Sequence, residues 1–236
     1  MISAPLIVTR TSPIDAWCDA ATLLTADGDR FNLCVHIKNP GSLVEADAQR
    51  YDPRRIDRRA KSVYDVANTI FPADSAFHRG SVTDFFEHFI PVYVRGQTRH
   101  PTAWGTYFLR LSKFGDADRN QLRIIIEAMT NWKSRPRAAF VMHLSSPELD
   151  RPRTIGAPCW QYAEFTRTDT DTLSMTVAYR SHDYFLKALG NFIGLIRLLK
   201  FVCRHTAMSE GTLTCLSVYA HLQGRVKATR QLLAEK

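Results

Sequence analysis

The apolar positions of this chain change period several times along its length, and each change marks an element. Up to about residue 40, short apolar runs are broken by turn chemistry at Asp27-Gly28-Asp29 and Asn39-Pro40-Gly41, which predicts strands and loops. Residues 62–71 (SVYDVANTIF) carry a helical rhythm that Pro72 ends. Residues 121–132 (QLRIIIEAMTNW) read as an amphipathic helix closed by the Lys133-Ser134-Arg135-Pro136-Arg137 turn. The apolar run 138–144 is short and bounded by turn residues, so a buried strand is expected, with another over 161–165. Leu173, Met175, Val177 and Tyr179 alternate with polar or small residues, the period of a half-buried strand. A long helix over about 184–205, a strand over 213–219 and a last amphipathic helix complete the series. Strands mixed with helices, and no repeat or low-complexity linker, predict one α+β domain over residues 1–236 in which helices pack on a mixed β-sheet.

Composition narrows the class of protein. Of 236 residues, 45% are hydrophobic and 23% charged, an ordinary globular balance that argues against disorder, collagen-like repeats or a coiled coil. The longest apolar run, 189–203, contains Arg197 and Lys200 and is shorter than the roughly 20 residues of a spanning helix. It is expected to be a core helix, and no membrane partner or signal peptide is expected. The five cysteines are widely spaced with no CxxC pair, which argues against a disulfide framework or a thiolate zinc site and for a reducing, cytoplasmic setting. The aromatic residues Phe85, Phe86, Phe89, Tyr93, Trp104 and Tyr107 read as core or interface. A net charge of +8 admits nucleic acids, membranes and small phosphorylated partners. Within 50–61, six basic and two acidic residues read as a solvated face or as an anion contact. No nucleic-acid motif accompanies them, so nucleic acid is not the expected partner.

The candidate chemistry gathers around Cys159 in Gly156-Ala157-Pro158-Cys159-Trp160-Gln161. The preceding proline favours an extended or turn backbone and sets the thiol at the start of a strand. A lone cysteine is commonly an inert buried side chain. Arg180-Ser181-His182-Asp183 adds a guanidinium and a hydroxyl suited to a phosphate, and an arginine beside a thiol draws it toward the nucleophilic thiolate.

Taken in order, Pro158-Cys159-Trp160-x-x-x-Glu164-Phe165, Tyr179-Arg180-Ser181-His182-Asp183, Asn191 and Tyr219 resemble the successive motifs of the thymidylate synthase family. That family's pattern runs Pro-Cys-His, then Gln-Arg-Ser-x-Asp, then Phe-Asn, then His-x-Tyr. Trp104-Gly105 and Pro147-Glu148-Leu149 resemble its Tyr-Gly and Gly-Glu-Leu, so the resemblance extends over about 104–222. It implies the thymidylate synthase fold and a covalent mechanism in which the Cys159 thiolate adds to C6 of a pyrimidine nucleotide. C5 then attacks a one-carbon unit carried by methylenetetrahydrofolate, for methyl or hydroxymethyl transfer. By the same resemblance Arg180 and Ser181 bind the phosphate and the Asp183 amide holds the ring O2. Asn191 reads the O4 and N3–H edge of uracil, which favours UMP or dUMP over CMP or dCMP. Tyr219 binds the ribose, and Ser217 stands at the sugar-contacting histidine. The resemblance also implies a homodimer in which Arg135 or Arg137 completes the partner's phosphate site.

Several positions depart from the family pattern. Trp160 replaces the histidine after the cysteine, and Lys187 and Leu189-Gly190 interrupt the stretch after Arg-Ser-x-Asp. The glutamate-bearing helix that manages proton transfer is echoed only by 65–70, with Val66 at the glutamate and Asp65 beside it. Arg30 is the candidate for the N-terminal phosphate loop. Ending at Lys236, the chain is expected to lack the segment that closes over folate. Two readings stand: a one-carbon transferase, or a nucleotide-binding protein on the same fold that has lost the transfer chemistry.

Overall fold

A computed structural model describes residues 4–73, 80–97, 104–115, 119–131, 136–150 and 157–234. Among them the protein is α+β, with a seven-stranded mixed sheet. The strands are β1 (Leu6–Arg10), β2 (Arg30–Ile37), β3 (Ala138–His143), β4 (Trp160–Arg167), β5 (Thr172–Tyr179), β6 (His182–Asp183) and β7 (Ser209–His221). Their order is β1-β2-β7-β5-β4-β3, with β6 paired to the end of β7. β1 pairs with β2, and β5 and β6 with β7, in parallel; the other pairs are antiparallel. Parallel neighbours need a crossover. Helix α1 (Pro13–Asp27) provides it between β1 and β2.

Helix α1 corrects the expectation of strands and loops before residue 40. Ser12 caps it by accepting the Asp15 N–H, Pro13 opens the first turn, and Gly28 ends it at φ 78°. Helix α2 (Val63–Ile70) keeps its expected place, because Ser62 and Asp65 form a reciprocal capping box. Helices α3 (Ile90–Gln97), α4 (Tyr107–Ser112) and α5 (Gln121–Asn131) follow, the last matching the amphipathic stretch read from the sequence. The arginine-rich segment 50–61 forms 3-10 turns, in which Arg54 grips Asp52 through Nε at 3.3 Å and Nη2 at 3.2 Å.

Two strands differ from expectation. β3 is a half-buried edge strand with only Phe140 and Met142 inward, whereas β5 is almost wholly buried. β5 lies between β4 and β7, and its small outer residues are covered; Ser174 Oγ accepts the Thr212 N–H at 3.0 Å. The long helix α6 (Ala188–Thr206) starts four residues later than expected, because 184–187 form a turn after β6. Helix α7 (Val226–Ala234) is last. No helix among the described residues is long and apolar enough to cross a membrane.

Arg197, inside the apolar run of α6, is fully engaged. It donates to both Glu45 carboxylate oxygens, to Asn68 Oδ1 and to the Phe71 carbonyl, tying α6 to α2. Below it Phe71, Phe85 and Phe201 pack with ring centroids 4.3–6.0 Å apart, which turns the aromatic-rich stretch into core.

Helices α2 and α6 touch through glycines. A Cβ at Gly190 would lie 2.6 Å from the Val63 carbonyl oxygen, and one at Gly194 would lie 2.7 Å from that of Ala67. Alanine at position 194 would gain up to about 1 kcal/mol of helix propensity, yet forcing a methyl against backbone costs about 1–3 kcal/mol. Gly194→Ala should therefore lower the urea midpoint; an unchanged or higher midpoint would show that the seam yields.

Candidate functional site

The ends of β5 and β7, the loop before β4, helix α2 and the first turn of α6 enclose a cavity of about 670 Å³. That size suits a small-molecule ligand. Cys159, Ser181, Asp183 and Asn191 all line it, and so do Tyr107 and Tyr179. Helix α2 contributes Val66 and Thr69. Asp65 does not line the cavity: its carboxylate accepts the Ser62 N–H at 3.1 Å, and hydrogen bonding to Ser62 holds its pKa below the ordinary value.

Cys159 is braced from both sides. Its N–H and that of Trp160 donate to the Tyr107 hydroxyl at 3.2 and 3.3 Å, and its carbonyl accepts the Arg180 N–H at 2.9 Å. The Arg180 guanidinium donates from Nε to the Pro158 carbonyl and from Nη2 to that of Ala157, both at 3.0 Å. Arg180 thus shapes the cysteine turn more than it activates the thiol. Burial pushes the Cys159 pKa up, and the opposing charges of Arg180 and Lys187 do not reverse it. The expected thiolate is not the resting form.

Asn191 is fixed by a histidine. Its Nδ2 lies 3.0 Å from His182 Nε2, and His182 Nδ1 lies 2.9 Å from Ser217 Oγ. When Nδ2 donates, Nε2 accepts and the imidazole proton sits on Nδ1, facing Ser217. The Tyr184 hydroxyl, 3.2 Å from Ser217 Oγ, continues the chain. Full burial, and next the His221 charge, lower the His182 pKa to about 3. The ring is therefore neutral at physiological pH, and the Asn191 Oδ1 and second Nδ2 hydrogen are left for a ligand.

Relatives of this chain share one description. Over 186 residues it is 29% identical to a protein of Methanococcoides burtonii named "Putative thymidylate synthase", covering 79% of this chain and 81% of that one. Proteins of the same name from Methanocaldococcus jannaschii and Methanosarcina mazei are 30% and 26% identical over 122 and 152 residues. These matches cover 49% and 64% of this chain, and 54% and 65% of the relatives. No family profile matches. The chain is thus similar to several archaeal proteins that carry the name putative thymidylate synthase.

Two of the expected contacts lie outside the cavity. Ser217 is fully buried against His182 and Tyr184, and the Tyr219 hydroxyl donates to Asp29 at 2.5 Å; neither lines the cavity. His221 and Gln223 do. His221 Nε2 lies 2.9 Å from Ser181 Oγ. His221 and Gln223 thus reach the cavity four residues beyond Ser217 and Tyr219, and the signal for them was a histidine just before the Gln223-Gly224 turn. Arg137 is exposed at the far end of β3, beside a groove it shares with Arg167, and Arg135 lies outside the described residues. Arg30 pairs with Asp27 at 2.8 Å and does not line the cavity.

Lys61, from the basic segment 50–61, and Lys187 line the same cavity. Burial, and next the Lys61 charge, lower the Lys187 pKa.

The buried histidine gives a pH test. Unfolded His182 takes up a proton below about pH 6.5, whereas the folded ring stays neutral until about 3. Between those values the unfolded state binds one more proton, so acidification removes up to about 1.4 kcal/mol of stability per pH unit through this group. Urea unfolding from pH 7 to 4 should show that loss in the wild type and a shallower one in His182→Asn; equal slopes would contradict a neutral buried ring.

Proposed function

We propose that this chain is one thymidylate synthase-like domain that modifies C5 of a uracil nucleoside monophosphate, UMP or dUMP, by methyl or hydroxymethyl transfer. The observation that carries the reading is that Cys159, Ser181, Asp183 and Asn191 line one cavity. In this reading the Cys159 sulfur, once deprotonated, forms a bond to C6, and the C5–C6 π pair makes C5 the nucleophile. Asn191 presents a donor and an acceptor to the O4 and N3–H edge, its amide held by His182. Asp183 supports the base site, and its Oδ1 accepts the N–H groups of Phe185 and Leu186, which hold the turn in shape. Ser181 and the remaining N–H groups of Arg180 receive the phosphate, and His221 takes the sugar side.

Methylenetetrahydrofolate supplies the one-carbon unit when bound. The residues fit it: Trp104 and Leu186 give the cavity apolar walls, and Lys61 adds a cation for carboxylates. We further read the protein as a cytoplasmic homodimer. The free cysteines agree with a reducing setting. Exposed Ile7, Val141 and Val218 on sheet strands give a second copy apolar surface to cover. Any exchange of Arg137 between subunits belongs to the same proposal.

A second reading, nucleotide binding without transfer, is favoured by one feature: α2 offers Val66 and Thr69 to the cavity and no carboxylate. Tritium release separates the two. With C5-tritiated UMP or dUMP and methylenetetrahydrofolate, the enzyme reading expects tritium in water and its loss in Cys159→Ala. Nucleotide binding with no release supports the second reading, and preference for CMP would contradict the role given to Asn191.

A further inference from the structure

Before Cys159 can bond to carbon its sulfur must lose a proton, and burial holds that proton on. Two cations act against burial, Arg180 first and then Lys187. A guanidinium takes up no proton, and that of Arg180 is tied to the Pro158 and Ala157 carbonyls. The other titratable groups of the β6–β7 wall are engaged. His221 Nε2 is held by Ser181 Oγ at 2.9 Å, both His182 nitrogens belong to the chain between Asn191 and Ser217, and Asp183 Oδ1 accepts two backbone N–H groups.

Lys187 differs from all of these. It lines the cavity with Cys159, is half-buried, and its side chain makes no hydrogen bond or ion pair among the described residues. The turn 184–187 sets it at the start of α6, where its backbone N–H donates to the Asp183 carbonyl at 3.0 Å. Burial, and next the repulsion of Lys61, make its ammonium easier to deprotonate than that of an ordinary lysine, against the opposing charges of Asp183 and Cys159. A partly buried lysine of this kind is suited to act as a base.

We propose that Lys187 is the proton acceptor that activates Cys159: the Sγ–H bond breaks as an Nζ–H bond forms, and the ammonium balances the thiolate that adds to C6. The proposal rests on the covalent reading above and assigns its first proton transfer. No net charge enters or leaves the site, and the proton returns to sulfur when the C6–S bond breaks.

Iodoacetamide alkylation of Cys159 in the nucleotide-free protein, scored by mass spectrometry of its peptide, reads the thiolate without any reaction on a pyrimidine. Thiolate forms as pH rises, and a nearby cation moves that rise to lower pH. In Lys187→Met, or Lys187→Gln where methionine prevents folding, the profile should shift upward by about one pH unit, with alkylation roughly tenfold slower at pH 7. Lys187→Arg keeps the charge and should alkylate close to wild type. Tritium release from C5-tritiated UMP or dUMP should nevertheless fall roughly a hundredfold in Lys187→Arg, because the base is lost. An unshifted alkylation profile in Lys187→Met would overturn the proposal, and so would tritium release by Lys187→Arg at the wild-type rate. If wild type releases no tritium, the transfer reading fails separately. The alkylation profile then decides alone: a shift supports Lys187 as the proton partner of Cys159, and no shift overturns it.

Discussion

The parallel pairing of β5 with β7 is the interaction on which the site depends. Tyr179 lies opposite Ser217, and the same register resumes after the Arg180-Ser181 turn, with His182 opposite Ala220 and Asp183 opposite His221. One strand alignment therefore brings the Arg180-Ser181 turn and the His221 end of β7 together. It also explains why Ser217 and Tyr219, expected at the site, lie outside the cavity. Side chains two and four residues apart share a strand face, so alternation cannot choose among Ser217, Tyr219 and His221. Distance along the strand does choose, because four residues amount to about 13 Å.

Around that alignment the other walls are set by contacts with little slack. The glycine seam brings α2 close enough for Val66 and Thr69 to face Asn191, and Arg197 locks the two helices at their other end. Trp17 reaches across from α1 to donate to the Tyr184 carbonyl at 2.9 Å, holding the turn that follows β6. Inside, the polar groups form a chain from Asn191 through His182 to Ser217 and Tyr184, each member fixing the proton of the next. Such a network tolerates burial because its members are paired; Tyr179, beside it, is the exception.

Much of this was legible in the sequence. The capping box of α2 and the places of Cys159, Ser181, Asp183 and Asn191 follow from local chemistry and spacing, and these four residues share one cavity, whereas Arg180, read with them, does not line it. Helix α1 was readable too, in Ser12-Pro13 and Gly28, but its short apolar runs mimic strands. What could not be read were consequences of depth and partner choice. The charge of Arg180 pointed to an activated thiol, but burial of Cys159 outweighs it. His182 looked like an arbitrary residue between two motif positions, and only its buried hydrogen bonds show that it fixes Asn191. The carboxylate of Asp65 was one position from a catalytic place, and helix geometry turned it to the cap.

The central claim is that these residues converge on a uracil nucleotide with Cys159 at its C6. A crystal structure of the protein with UMP tests it most directly. The account predicts the base against Asn191, C6 facing the Cys159 sulfur, and the phosphate at Ser181 and Arg180. A nucleotide bound outside this cavity, or one whose base turns away from Cys159, would contradict it.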